Sequence, residues 1–191
     1  IQVIVNVAPV ANAGTDKLIS LPVNTTTLTG SGTDADGSIT AYTWLKISGP
    51  AEGAIAMPDA ATTDLNELVQ GLYRFELTVT DNNGVTGKDT VVVLVNQAPV
   101  ANAGPDKTIN LPENTSSLSG SGTDADGTIS LYTWVKIAGP SSGSIAAPNS
   151  AATSVNGLLQ GIYQFELTVT DNQGGTGKDT MVIIVYPAPN I

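Results

Sequence analysis

The feature that most constrains this chain is that it states one sequence twice. "APVANAG" at Ala8–Gly14 returns at Ala98–Gly104, and "FELTVTDN" at Phe75–Asn82 returns at Phe165–Asn172, always at an offset of 90 residues. About two thirds of the aligned positions are identical, with no gap, so the chain is read as two like modules, each long enough to bury its own core. The joints between repeats are short and carry Pro9 and Pro99, which stiffen the backbone. Short joints between like modules predict a semi-rigid spacer rather than beads on a loose string. "IQVIVN" (Ile1–Asn6) aligns with "VVVLVN" (Val91–Asn96), and "APN" (Ala188–Asn190) aligns with the start of a module. The expected division is therefore 1–7 as the tail strand of a preceding module or a linker, 8–96 and 97–186 as the modules, and 187–191 as a linker onward. With no initiator Met and no signal peptide, the chain is expected to be a piece of a longer array. Alternatively, Ile1–Val5 adds a first strand to the first module.

Within a module the pattern is that of an all-β sandwich. β-branched and aromatic runs alternate with Gly, Pro, Asn and Asp punctuation, and no segment keeps a helical period. Strands are expected near 8–12, 16–21, 25–30, 39–47, 62–68, 71–80 and 88–95. The run over 71–80 is the clearest, with Tyr73, Phe75, Leu77 and Val79 on one face and Arg74, Glu76, Thr78 and Thr80 on the other. Trp44 in "YTWLK" is expected to fill the core, and alternation places Tyr42 on the same face. "LVQGLY" (Leu68–Tyr73) resembles the entry to a tyrosine corner, in which a Tyr hydroxyl caps nearby backbone. The strand over Val91–Val95 is apolar on both faces, which requires cover from neighbouring strands or a further module.

Composition removes several function classes. The net charge is −10, so a nucleic-acid footprint and attraction to anionic lipid are both disfavoured. No apolar run is long enough to insert into a membrane. His and Cys are both absent, which excludes disulfides, zinc-type sites and the commonest general base.

"GSGTDADGSITAYTW", "GLYRFELTVTDNNG" and "KDTVVVLV" together resemble the PKD (polycystic kidney disease) superfamily, and "ANAGTDKLISLP" with "SGP" after the tryptophan strand resembles its K319-type branch. The resemblance covers nearly the whole chain, twice. It departs from many PKD domains at "LKISGP" (Leu45–Pro50) and "VKIAGP" (Val135–Pro140), where an aspartate-rich turn is replaced. It implies two tandem immunoglobulin-like sandwiches from a secreted or cell-surface, multi-modular bacterial protein, acting as a spacer or adhesion unit and not as an enzyme.

The segment "GSGTDADG" at Gly30–Gly37, repeated at Gly120–Gly127, has two readings. Asp and Asn make turns, and glycine supplies the unusual backbone angles that turns need. In an immunoglobulin-like sandwich, however, this loop lies at the same end as "TDNNG". Similar positions bind calcium in PKD-like domains of bacterial collagenases, so the resemblance suggests Asp34, Asp36 and Asp81 as calcium ligands, with Asp124, Asp126 and Asp171 as their counterparts. Calcium takes six to eight oxygens. Such a site, near the joint, would clamp the starts of strands.

A non-catalytic structural or interaction module is thus the leading function. Its partners are expected to be neighbouring modules of the same polypeptide, with polysaccharide or surface proteins as further candidates and a monomeric state. An accessory carbohydrate-binding module is the alternative, and it needs exposed aromatic rings. Two sequons, Asn24-Thr25-Thr26 and Asn114-Thr115-Ser116, are read only in a eukaryotic secretory pathway; with no other eukaryotic sign in the sequence, chance is the reading here.

Overall fold

A computed structural model describes residues 5–189. Most of the alternative first strand, Ile1–Ile4, lies outside the described residues. The chain divides into two compact units, Ile1–Asn96 and Gln97–Ile191, and each has its own buried core. Every regular element among the described residues is a β-strand.

The first unit contains β1 (Val10–Asn12), β2 (Lys17–Ser20), β3 (Thr26–Thr29), β4 (Ser31–Thr33), β5 (Ile39–Ser48), β6 (Ala54–Ile55), β7 (Thr62–Asn66), β8 (Gly71–Asp81) and β9 (Thr86–Asn96). The second contains β10 (Val100–Asn102), β11 (Lys107–Asn110), β12 (Thr115–Ser119), β13 (Ser121–Thr123), β14 (Ile129–Ala138), β15 (Ser144–Ile145), β16 (Ala152–Asn156), β17 (Gly161–Asp171) and β18 (Thr176–Tyr186). One sheet of the first unit runs β2-β9-β8-β5, with β2 parallel to β9; the other runs β3-β7-β6, and β1 pairs with β4 as a ribbon. The second unit repeats this order.

The period-2 pattern of β8 decides which face is inside. Tyr73, Phe75, Leu77 and Val79 are fully buried, while Arg74 is exposed. Leu28 and Leu65 close the core from the opposite sheet, and Trp44 joins the same cluster at 2% exposure, with Tyr42 packed against it at the margin. Burying each such side chain stabilises the fold by about 1.5–3 kcal/mol before entropy is counted.

Two short strands, β4 and β6, were not anticipated, and the reason for β4 is steric. "TGSGT" reads as a turn, yet Gly30 is where the chain leaves the β3 sheet and starts the ribbon with β1. A Cβ at Gly30 would fall 2.6 Å from Leu77 and 2.8 Å from Trp44, so only glycine lets the backbone cross the tryptophan ring. Gly120 meets Trp134 and Leu167 in the same way.

The doubly apolar β9 also has an account. Val91, Val93 and Val95 are buried, and the outward Leu94 is half-buried between its cross-strand neighbours Leu18 and Leu72. The "LKISGP" segment uses a lysine where an acidic turn was absent: Lys46 Nζ donates to the carbonyls of Pro50, Ala51 and Glu52 and lies 5.9 Å from the Tyr73 ring centre.

The tyrosine corner is present in both units. Tyr73 Oη accepts the Val69 N–H at 3.0 Å and donates to the Val69 carbonyl at 3.2 Å; Tyr163 does the same with Leu159. Tyr73→Phe keeps the ring but strands these groups. We expect it to destabilise the first unit by about 1–3 kcal/mol, read as a lower urea midpoint at unchanged slope.

Candidate functional site

The loop over Asp34–Ser38 and the β8–β9 turn meet at one end of the first unit, because Ile39 opens β5 directly opposite Asp81 at the end of β8. The anticipated proximity of the two loops is therefore present, but the side chains divide their work. Asp81 is buried; Oδ1 caps its own turn by accepting the N–H groups of Asn83 (2.8 Å) and Val85 (2.9 Å), and Oδ2 accepts Asn6 Nδ2 (2.7 Å). Asp171 does the same in the second unit, accepting from Gln173 and Gly175 at 2.8 Å each. Asp81 and Asp171 thus cap the backbone of the turns they open.

The other four aspartates are held differently. Asp36 accepts the Val7 N–H at 3.2 Å on both oxygens, and Asp126 Oδ2 accepts the Gln97 N–H at 3.1 Å. Asp34 and Asp124 each accept a long contact of 3.5 and 3.4 Å from the backbone two residues on, which is weak by geometry. Their second oxygens, Asp34 Oδ2 and Asp124 Oδ2, are shielded from solvent and accept no hydrogen bond from the described residues. Asp126 Oδ1 and Gln173 Oε1 share that condition. A buried acceptor left without a donor is destabilising, and such an oxygen in a native fold requires an explanation.

Glycine shows where these oxygens point. A Cβ added at Gly127 would fall on Asn172 Oδ1, 2.6 Å from Asp124 Oδ2 and 2.8 Å from Gln173 Oε1. In the first unit a Cβ at Gly37 would meet Asn82 Oδ1 and, at 2.6 Å, Asp34 Oδ2. The amide oxygens of Asn82 and Asn172 also accept the N–H groups of Ser38 and Thr128 at 2.8 Å. Each loop thus ends in a cradle of oxygens kept open by the missing side chain of one glycine. The chemistry fits a hard cation, which takes carboxylate and amide oxygens together. Among the described residues no three His, Cys, Asp or Glu side chains are grouped to hold a metal by themselves, so the amides are essential to any such site.

The two cradles differ. In the second, Gln173 contributes an oxygen; in the first, the corresponding Asn83 turns away and donates to Asn6. Sequence reasoning missed Asn82, Asn172, Gln173 and Asn6. In the "DN" that ends each strand the sequence points to the Asp as a ligand and leaves the Asn to the turn, although an Asn oxygen beside an aspartate is also a cation donor.

Electrostatics agree with this division. The Asn6 amide holds the Asp81 carboxyl below its ordinary value; burial opposes this, and the N–H groups of Val85, Asn83 and Gly84 reinforce it. Burial pushes the Asp124 carboxyl up; the Asp126 N–H pulls it down, while the Asp126 side chain and the charges of Asp126 and Asp171 push it up. Most aromatic rings lie inside the cores. Trp44, Trp134, Tyr73, Tyr163, Phe75 and Phe165 are buried, Tyr42 and Tyr132 are half-buried, and Tyr186 is exposed.

The two carboxyls predict opposite pH responses. Asp81 adds stability in full above its unfolded pKa, near 3.9, and that stability is lost as pH falls through its lower folded value. Asp81→Asn should flatten the acid limb of the first unit's stability, measured as urea midpoints between pH 2 and 5. Asp124 stabilises only while protonated, below its unfolded pKa, and loses that contribution as pH rises through its higher folded value. Asp124→Asn should therefore raise the second unit's midpoint at pH 7 in metal-free buffer.

A family model described as "K319L-like, PKD domain" matches residues 13–95 and again 103–185. The mouse "Dyslexia-associated protein KIAA0319 homolog" is 40% identical over 192 residues, covering 97% of this chain and 18% of its own length. The human "Dyslexia-associated protein KIAA0319" is 36% identical over 191 residues, covering 96% of this chain and again 18% of itself. The chain thus spans under a fifth of the length of these relatives. Both are mammalian, so the expected bacterial source finds no support in them. Among solved structures, extracellular domains 3–5 of Drosophila OTK superpose with a TM-score of 0.59 at 12% identity, over 93% of this chain and 60% of that one, a likeness of fold alone.

Proposed function

This chain belongs to the K319L-like PKD domain family, with one copy in each unit, and from that premise we propose that it is a non-catalytic spacer and interaction segment of an extracellular multi-domain protein, each copy stabilised by calcium. The observation that carries the calcium reading is the oxygen cradle over Gly127, where solvent-shielded oxygens of Asp124 and Gln173 converge without donors. Asp124, Asp126, Asn172 and Gln173 would hold the ion in the second unit, and Asp34, Asp36 and Asn82 in the first. Asp81 and Asp171 would shape the turns and add negative charge nearby. A bound cation would neutralise the repulsion that raises the Asp124 pKa and give the stranded oxygens a partner.

The spacer reading is supported by the gap-free repeat and by relatives more than five times as long as this chain, in which such a segment has neighbours on the same polypeptide. A role in adhesion to surface proteins belongs to the same class. The carbohydrate-binding alternative draws little support from the rings, because most of them are inside the cores and Tyr186 is the one exposed ring among the described residues.

Calcium binding to the folded state alone raises stability by mass action, about 2.7 kcal/mol at one hundred times the dissociation constant. After chelation, millimolar calcium should raise the melting temperature by several degrees and magnesium should not, since magnesium gives up its water reluctantly. The second unit should respond at lower calcium than the first. Asp124→Ala and Gly127→Ala should remove its response, and Asp34→Ala that of the first unit. An unchanged melting temperature in protein shown to be metal-free would reject calcium and leave turn chemistry alone.

A further inference from the structure

We infer that Asn24 and Asn114 are acceptors for N-linked oligosaccharide, and that the two glycans cover equivalent open sheet edges. The inference rests on the extracellular reading above. It begins from the only two Asn-X-Ser/Thr triplets in the chain, which fall at the same position of each repeat. The surrounding residues differ between the copies, "VNTTTLT" against "ENTSSLS", but the third position of each triplet keeps a hydroxyl, Thr26 in one and Ser116 in the other. In the sequence alone these triplets had no eukaryotic context. The mammalian relatives supply it.

The structure adds what a triplet by itself lacks. Asn24 and Asn114 are exposed, and both lie in the loop that leads into an edge strand. Their carbonyls are tied down, accepting the N–H groups of Leu68 at 3.0 Å and Leu158 at 2.9 Å. Their side-chain amides make no hydrogen bond among the described residues, so attaching a sugar breaks nothing in the fold. By contrast, Asn6, Asn12, Asn82 and Asn83 use their side chains in hydrogen bonds, and none of them starts a triplet. Each acceptor adjoins β3 or β12, the outer strand of the order β3-β7-β6 or β12-β16-β15. An unpaired outer strand offers free N–H and C=O groups to another chain. Both strands are short, rich in Ser and Thr and without a charged residue of their own; on β12 the Lys107 ammonium reaches in from β11 and caps one carbonyl and one hydroxyl, those of Ser117, at 2.7 Å each. A bulky, solvated glycan at the strand entry would discourage pairing with another chain.

In the transfer, Asn Nδ2 bonds to the anomeric carbon of an oligosaccharide carried on an isoprenoid diphosphate. The carbon–oxygen bond to the diphosphate breaks, the lipid diphosphate leaves with the electron pair, and one Nδ2 proton passes to a base of the transferase. No oxidant or reductant is involved.

The test is to express this chain behind a cleavable signal peptide in a mammalian secretory line and weigh the product before and after peptide-N-glycosidase F. The expected result is two enzyme-sensitive mass increments. One should be lost in Asn24→Gln and one in Asn114→Gln. Thr26→Ala and Ser116→Ala should remove the same increments while leaving each asparagine in place, which separates acceptor loss from misfolding. The signal peptide forces entry, so secreted protein with no enzyme-sensitive mass overturns the inference without touching the extracellular reading. That reading fails separately if the natural full-length protein resists surface proteases on intact cells. For the shielding role, the enzyme-treated chain should self-associate at lower concentration than the glycosylated chain in sedimentation velocity; equal behaviour overturns that part.

Discussion

Each unit depends on the contact between a tryptophan and a glycine. Trp44 fills the space between the sheets, and Gly30 is the point where the second side of the sandwich hands its chain to the β1–β4 ribbon. With any side chain at Gly30, the ring or the strand would have to move. This close approach ends β3, starts β4 and delivers the following loop to the end of β8. The acidic loop is thus placed by core packing, well before its own chemistry matters. The arrangement recurs around Trp134 and Gly120, so the fold is built by the same contact twice.

At the loop end, the aspartates solve two problems. Asp81 and Asp171 satisfy backbone N–H groups of a tight turn, a use in which a buried carboxylate is stabilised by the donors around it. Asp34 and Asp124 instead carry an oxygen out of solvent with no donor, and Asp124 does so beside further negative charge. That combination is unfavourable in the bare protein and becomes favourable when positive charge is present. It is the physical basis for reading the loop as more than a turn. The extra amide oxygen of Gln173 makes the second cradle the richer of the two.

The same contrast orders the rest of the surface. Lys46 and Lys136 close the loop after the tryptophan strand by donating to its backbone carbonyls. The proposed glycan acceptors stand beside the outer strands β3 and β12, which carry no charged residue of their own. Function in this chain is therefore concentrated at loops and edges, on a scaffold whose interior is apolar apart from a few hydrogen-bonded groups.

The sequence by itself determined the two-fold repeat, the all-β class, the inward face of β8, the burial of Trp44 and the tyrosine corner. Each is local or periodic: alternation, spacing and residue type fix it without knowledge of distant neighbours. It also marked all six aspartates as belonging to one end of each module. Only the tertiary structure decided which of them turn inward to cap backbone and which leave oxygens over a glycine. It also made amide oxygens of Asn82, Asn172 and Gln173 part of the cradle, and left the two asparagines of the sequons free beside an unpaired strand. Those outcomes depend on which hydrogen-bond donors arrive from residues about 30 to 75 positions away, as Val7 and Asn6 do, and no local pattern carries that information.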